Sequence, residues 1–113
     1  MPAVPGVVGR PVDEEYMEAV LDVVGEIPAG RAMTYGGVAE VVGQVLGRGG
    51  PRQVGQVLSR AGSGVPWWRV VNAAGAPPRH HHASAIERLR ADGCPLVADG
   101  TRVDLRAAVH RPV

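Results

Sequence analysis

The chain has 113 residues, 45% of them apolar, which is enough for one domain with a modest core and too little for two ordinary domains. No apolar run reaches the roughly 18 residues that a membrane span needs, and no basic segment precedes an apolar stretch as in a signal peptide. The one cysteine, Cys94, excludes an internal disulfide framework and a multi-cysteine zinc site. We therefore expect a cytoplasmic protein.

The net charge of +1 is distributed unevenly along the chain. Residues 1–30 contain six acids and one Arg, a net charge of −5, whereas residues 31–113 contain eleven Arg and five acids, a net charge of +6. This asymmetry predicts an acidic outer helix and a basic working surface.

The first predicted helix covers residues 13–27, after a flexible tail at residues 1–12. Asp13 can act as the N-cap, and the sequence Pro28-Ala-Gly30 ends the helix. Four apolar residues recur at helical spacing and predict the buried stripe: Met17, Val20, Leu21 and Val24.

Two shorter helices are predicted at residues 35–43 and 51–60, separated by a flexible loop. Thr34 caps the first, and Pro51 stands at the first position of the second. Val54, Val57 and Leu58 form the predicted inner face of the second helix. Its outer face carries Arg52, Gln53, Gly55, Gln56 and Ser59.

The second half of the chain alternates short elements with loops. Residues 67–71 have strand character, and residues 72–82 read as a loop. A fourth helix is predicted at residues 84–92, with Ile86 and Leu89 facing inward. Asp99-Gly100 between two apolar runs predicts a hairpin with a type I′ turn, and residues 106–113 are expected to fray.

The order of these elements predicts an α+β, mostly helical domain over residues 13–105. Two short helices joined by a brief loop and followed by a small β-hairpin are typical of a winged helix-turn-helix, which usually binds nucleic acid. On this pattern alone, a sequence-specific transcriptional regulator that reads the major groove is one possible function.

A more specific function is indicated by the string Pro66-Trp67-Trp68-Arg69-Val70. It resembles the Pro-Cys-His-Arg-Val active-site motif of the O6-alkylguanine-DNA alkyltransferase family, with Trp at the positions of the acceptor Cys and its neighbouring His. Trp in place of the Cys is the pattern of the alkyltransferase-like proteins. Upstream, Thr34-Tyr35 and Arg52-Gln-Val-Gly55 resemble two further motifs of the family, so the resemblance extends over residues 13–105.

The family reaction cannot proceed on these residues. Alkyl transfer from O6-alkylguanine needs a thiolate and a nearby base that lowers its pKa. Trp67 cannot accept an alkyl group, and Trp68 cannot act as the base. Cys94 lies near an apolar run and is expected to be a small buried hydrophobe, although an enzyme using this thiol is a third hypothesis. We therefore expect a protein that is not an enzyme and needs no cofactor or metal.

The resemblance implies a role for each motif residue in binding DNA through the minor groove. Arg52 would fill the space left by a flipped base, and Tyr35 would press on the target phosphate. The DNA-binding residues are then expected to be Thr34, Tyr35, Pro51, Arg52, Gln53, Gly55, Gln56 and Ser59. The lesion pocket is expected to contain Trp67, Val70 and Arg79, with Pro66, Trp68 and Arg69 as structural support.

The resemblance also implies a partner and a fate for the complex. The expected ligand is double-stranded DNA containing O6-alkylguanine, bound by a monomer and handed to nucleotide-excision repair proteins such as a UvrA-type damage sensor. Alternatively, Trp67 and Trp68 fill the core of a chain without Phe. The run His80–His82 is expected to be a solvated or DNA-facing loop, because three adjacent His on an extended segment point apart and do not readily hold one metal ion.

Overall fold

The computed structural model describes residues 13–112, so the expected flexible tail at residues 1–12 lies outside the described residues. The helices are α1 (Glu14–Gly25), α2 (Tyr35–Leu46), α3 (Pro51–Ala61), α4 (His82–Ala91) and the single turn α5 (Leu105–Ala108). The strands are β1 (Met33–Thr34) and β2 (Val70–Val71), and 3₁₀ turns lie at Gly62–Gly64, Trp67–Arg69 and Arg79–His81. None of the helices in this part of the chain combines the length and the apolar surface that crossing a bilayer requires.

Helix α1 begins where it was predicted, but its inner face is rotated by about one residue. Asp13 caps it, since its carboxylate accepts the Tyr16 backbone N–H at 2.9 Å. Tyr16, Val20 and Val24 are fully buried. Met17 and Leu21, which were predicted to be buried, are only partly covered. The rotation follows from Tyr16, whose large ring packs toward α2 and α3.

The turn between α2 and α3 is shorter than predicted, because α2 continues to Leu46. Gly49 has a φ of 93°, and a Cβ at this position would lie 2.3 Å from the Tyr16 ring. Beside it, Arg48 donates to Asp13 at 2.9 Å and lies over the Tyr16 ring. These contacts attach the turn to the start of α1 and fix the angle at which α3 leaves it.

The sheet is a parallel pair that separates two apolar cores. Met33 pairs with Val70, and Thr34 pairs with Val71. Since neighbouring strand residues face opposite sides, Val70 enters the core formed by α1, α2 and α3, and Val71 enters the other core. The second core holds Ala32, Ile86, Leu89, Cys94, Val103 and Ala108.

The fold class is as predicted, mostly helical with little sheet, but the C-terminal third differs in detail. Of the predicted hairpin, one antiparallel bridge between Leu96 and Val103 forms. The predicted type I′ turn is wrong, because such a turn needs positive φ at both central residues and no described non-glycine residue has it. Instead, the Gly100 N–H closes a turn onto the Val97 carbonyl at 2.8 Å.

The expected fraying after residue 105 is also wrong for the described residues. Ala108 is fully buried. Its carbonyl accepts the Ala32 N–H at 3.0 Å, and the Ala32 carbonyl accepts the His110 N–H at 2.8 Å. Pairing with the segment before β1, which lies far away in sequence, holds this end of the chain in place.

Candidate nucleic-acid interface

Helix α3 presents the face that was predicted to read DNA. Val54 and Val57 are buried against α1 and α2, as predicted. The residues on the opposite side are exposed: Arg52, Gln56 and Ser59. Among the described residues, Arg52 has no hydrogen-bond or ion-pair partner, so its guanidinium is available to a ligand.

Gln53 differs from the other residues predicted for this face. Its side-chain carbonyl accepts the Gly50 N–H at 2.9 Å, which caps the start of α3 next to Pro51. The residue is half-buried. The amide oxygen of Gln53 therefore caps the helix, and the role of this residue in DNA binding stays a prediction.

Tyr35 stands where α2 and α3 come together. Thr34 caps α2 by accepting the Gly37 N–H at 2.9 Å, so Tyr35 is the first residue of the helix. Its ring lies against Gly55, where a Cβ would be 4.0 Å from the Tyr35 Cε1 atom. Burial raises the pKa of the Tyr35 phenol, which therefore stays neutral and can donate a hydrogen bond to an anion.

A cavity of about 410 Å³ opens beside this tyrosine. Its size lies within the usual range of small-molecule sites, about 300–1,000 Å³. Tyr35 and Trp67 provide aromatic walls, and the remaining lining residues are Gly55, Leu58, Ser59, Arg60, Gly62, Ser63, Pro78, His80 and His81. Aromatic rings together with Ser, Arg and His side chains in one cavity suit a planar heterocycle with polar edges.

Trp67 is held in the cavity wall by aromatic and cationic neighbours. The Trp68 ring meets it edge-on, with ring centroids 5.8 Å apart. The ring centroids of His81 and Trp67 are 5.4 Å apart. The Arg88 guanidinium carbon lies 5.9 Å from the Trp67 ring centroid. Trp67 is half-buried, so one part of the indole stays available to a ligand.

Two residues predicted for the lesion pocket are placed elsewhere. Val70 is fully buried in the first core and does not line the cavity, because strand pairing with Met33 turns its side chain inward. Arg79 is exposed at the start of the turn Arg79–His81, whereas its neighbours His80 and His81 line the cavity. Neither Val70 nor Arg79 lines this cavity, and the role of Arg79 in sensing a lesion stays a prediction.

Trp68, Arg69 and Asp92 form a brace behind the cavity. Arg69 donates to Asp92 at 2.8 Å and to the Ile27 carbonyl at 2.9 Å. The Trp68 indole N–H donates to the same carboxylate at 2.9 Å. These donors, Arg69 first, hold the pKa of Asp92 below its usual value. The supporting role predicted for Trp68 and Arg69 agrees with these contacts, while their common partner Asp92 gave no signal in the sequence.

A second depression, of about 440 Å³, lies on the other side of Tyr35. It is lined by Thr34, Tyr35, Gly36, Pro51, Arg52, Gly55, Asn72 and Ala73. The starts of α2 and α3 therefore face one hollow, where the positive ends of the two helix dipoles favour a phosphate. Tyr35 and Gly55 separate this depression from the first cavity.

Several residues that line the cavity were not predicted from the sequence to belong to a site. Leu58 was assigned to the core but lines the cavity, and Arg60 and Gly62 follow it at the end of α3. Gly55, Ser59 and Gly62 recur at helical spacing as a line of small residues, which is the signal that was available. The contribution of His80 and His81 depends on the path of the loop and could not be read from the sequence.

Cys94 is placed as expected, in the second core with 6% of its surface exposed. Burial, with a smaller contribution from Asp92, raises the pKa of the Cys94 thiol to about 11. The thiolate is therefore scarce at neutral pH, and the side chain does not reach either depression.

Comparison with known proteins matches this architecture. The profile of the 6-O-methylguanine DNA methyltransferase DNA-binding domain matches residues 15–93. The DNA base-flipping protein of Escherichia coli is 42% identical over 65 residues, covering 56% of this chain and 48% of that protein. Alkyltransferase-like protein 1 of Schizosaccharomyces pombe is 41% identical over 77 residues, covering 66% and 68%. The chain thus spans about half the length of the E. coli relative.

Two solved structures of the S. pombe protein are similar in fold. Its complex with damaged DNA containing O6-carboxymethylguanine has a TM-score of 0.74 at 28% identity, covering 89% of this chain and 99% of that one. A second complex with DNA has a TM-score of 0.72 at 29% identity, with the same coverage. The chain belongs to the family of the 6-O-methylguanine DNA methyltransferase DNA-binding domain and, within it, to the alkyltransferase-like proteins.

Proposed function

We propose that this chain is a non-enzymatic sensor of alkylated DNA. It binds duplex DNA as a monomer through the minor groove, flips O6-alkylguanine into the cavity walled by Trp67, and marks the lesion for nucleotide-excision repair in the cytoplasm. The relatives support this proposal, because one is named a base-flipping protein and another was solved with DNA that contains an O6-alkylated guanine.

The observation that carries the proposal is the position of the cavity beside the exposed face of α3. Gly55 and Ser59 border the cavity and lie on the same helix as the exposed Arg52. A duplex lying along α3 therefore has next to it a cavity of about 410 Å³, a volume that can hold one base. Small residues at Gly55 and Ser59 let the helix approach the groove closely.

Base flipping requires compensation for lost stacking, and this site offers two sources. Unstacking costs a few kcal/mol, least at a damaged pair. An aromatic platform such as Trp67 returns about 1–3 kcal/mol per stacked base. The planar guanidinium of Arg52 can occupy the vacated space in the helix, and the neutral Tyr35 phenol can donate to the phosphate of the rotated nucleotide.

The residues at the reacting position support binding without transfer. Trp67 offers no nucleophile, and the Trp68 N–H is already donated to Asp92. The thiol of Cys94 is buried, with a pKa raised to about 11. A lesion held here stays alkylated, so its removal falls to another activity, and nucleotide-excision repair is the one that the family implies.

A binding titration tests the proposal. One duplex contains a single O6-methylguanine and its twin is unmodified, and both are measured at one stated salt concentration because phosphate contacts make affinity salt-dependent. We expect at least tenfold preference for the lesion with no methyl group lost. Equal, salt-sensitive binding to both duplexes would leave a general DNA-binding domain and favour a sequence-specific winged-helix regulator.

A further inference from the structure

Basic side chains line the cavity on two sides. Arg60 reaches it from the last turn of α3, and His80 and His81 reach it from the turn before α4. Among the described residues that line the cavity, none is Asp or Glu. An O6-alkylated guanine base is neutral, so it offers these groups hydrogen-bond acceptors but no ionic partner. They gain an ionic partner when the alkyl group carries a negative charge.

The other groups around the two imidazoles do not supply such a charge. From α4, Arg88 lies over Trp67, while Glu87, the one acid of that helix, does not line the cavity. From α2, Tyr35 is a neutral phenol. Behind the wall, Asp92 is occupied by Arg69 and Trp68.

The three adjacent histidines differ in where they point. His81 lies with its ring centroid 5.4 Å from that of Trp67, and His80 lines the same cavity. The His82 ring nitrogen Nε2 lies 2.7 Å from the Thr101 carbonyl, against the loop that follows α4. His82 does not line the cavity and therefore provides a matched control for the other two.

Building on the function proposed above, we propose that the cavity discriminates O6 adducts by charge. It holds an adduct that ends in a carboxylate more tightly than a neutral adduct of the same shape, and the preference increases as His80 and His81 become protonated. Hydrogen bonds to an ionised acceptor are about twice as strong as those between neutral groups. Imidazole is the side chain that gains charge between about pH 8 and pH 5, whereas Arg60 contributes at every pH.

The test compares duplexes with one O6-carboxymethylguanine, its neutral carbamoylmethyl isostere, O6-methylguanine or unmodified guanine. Affinities are measured at about pH 5.5 and pH 8 at constant ionic strength, where the carboxylate remains ionised throughout. We expect the carboxylate to bind about fivefold more tightly than the amide at the lower pH, with a smaller ratio at the higher pH. Using this ratio cancels contacts to DNA phosphates, because both duplexes have the same backbone.

The double variant His80→Gln/His81→Gln should lose the pH dependence of this ratio, while His82→Gln should retain it. Gln keeps a hydrogen-bonding side chain without the charge. A ratio near one at both pH values, or an unchanged pH dependence in the double variant, overturns the charge selection. If O6-methylguanine is still preferred over guanine in that case, the proposed function stands alone. Equal binding to all four duplexes overturns both.

Discussion

Two arginines in this domain, Arg52 and Arg69, occupy opposite environments. Arg69 belongs to the brace, where only 15% of its side chain is exposed and Asp92 and the Ile27 carbonyl accept its hydrogen bonds. Arg52 belongs to the exposed face of α3 and has no partner among the described residues. A guanidinium whose donors are satisfied inside the protein stabilises the fold, whereas one without a partner is available to DNA.

The adjacent indoles show the same division. Trp68 donates its N–H to Asp92 and packs against the second core. Trp67 turns its ring to the cavity. Changes in the brace should therefore lower the stability of the domain, and changes on the α3 face should lower its affinity for DNA with little effect on stability.

The largest effect is expected for Asp92→Ala. This change leaves Arg69 largely buried without its ion pair and Trp68 without an acceptor. We expect a loss of about 3 kcal/mol in the free energy of unfolding, measured by urea denaturation. Asp22→Ala, at an exposed position of α1, is the control and should change stability by less than about 0.5 kcal/mol. Similar losses in both variants would mean that the brace is not a special source of stability.

Arg52→Ala should lower the affinity for DNA and leave the stability of the domain unchanged. On the proposed function, this guanidinium fills the gap that the flipped base leaves. We therefore expect affinity for the O6-methylguanine duplex to fall about tenfold, while the urea midpoint stays unchanged. Arg106→Ala removes the same charge from the exposed surface of α5 and controls for general electrostatics. Equal losses of affinity in the two variants would show that Arg52 acts only through its charge.

Gly55→Ala separates stability from binding at one position. A Cβ here would lie 4.0 Å from Tyr35, so the protein has room for it, and Ala gains up to about 1 kcal/mol over Gly within a helix. We expect a slightly higher urea midpoint together with a several-fold weaker affinity for DNA, because the methyl group stands where the helix approaches the groove. Unchanged affinity would place the groove contact elsewhere on α3.

The smallest effect concerns acid sensitivity. Arg69 and Trp68 lower the pKa of Asp92 from its ordinary value of 3.8. The stability that this carboxylate contributes is complete above the unfolded pKa and is lost as the pH falls through the lower folded pKa. The wild type should therefore lose stability more steeply than Asp92→Asn below about pH 4, as measured by urea midpoints at pH 5, 4 and 3. Parallel curves would contradict this linkage.

Local signals in the sequence predicted the helices and their caps. The oxygen of Thr34, the fixed φ of Pro51 and the apolar spacing of Val54 and Val57 each act within one or two turns, and the structure places them as expected. Distant pairing was not predictable in this way. Ala108 is buried because its segment pairs with Ala32, which no local pattern encodes.

In the candidate site, too, local sequence patterns predicted some residues but not the contacts that depend on distant parts of the chain. Trp67 was predicted from its place in a motif, whereas the burial of Val70 follows from its pairing with Met33. The positions of His80 and His81 depend on how a loop returns to the end of α3. Residues that meet only through the tertiary path of the chain leave no periodicity for sequence analysis to find.

The presence of two cores has a consequence for how such a protein evolves. The helices that the proposed function places against DNA are packed in the first core. His80 and His81 precede the helix whose Ile86 and Leu89 belong to the second core. On the proposed function, substitutions at Pro78, His80 or His81, which line the first cavity but not the depression beside Arg52, would change which adduct is admitted without altering the surroundings of Arg52. Adduct specificity and overall affinity for DNA would then be able to change independently during evolution.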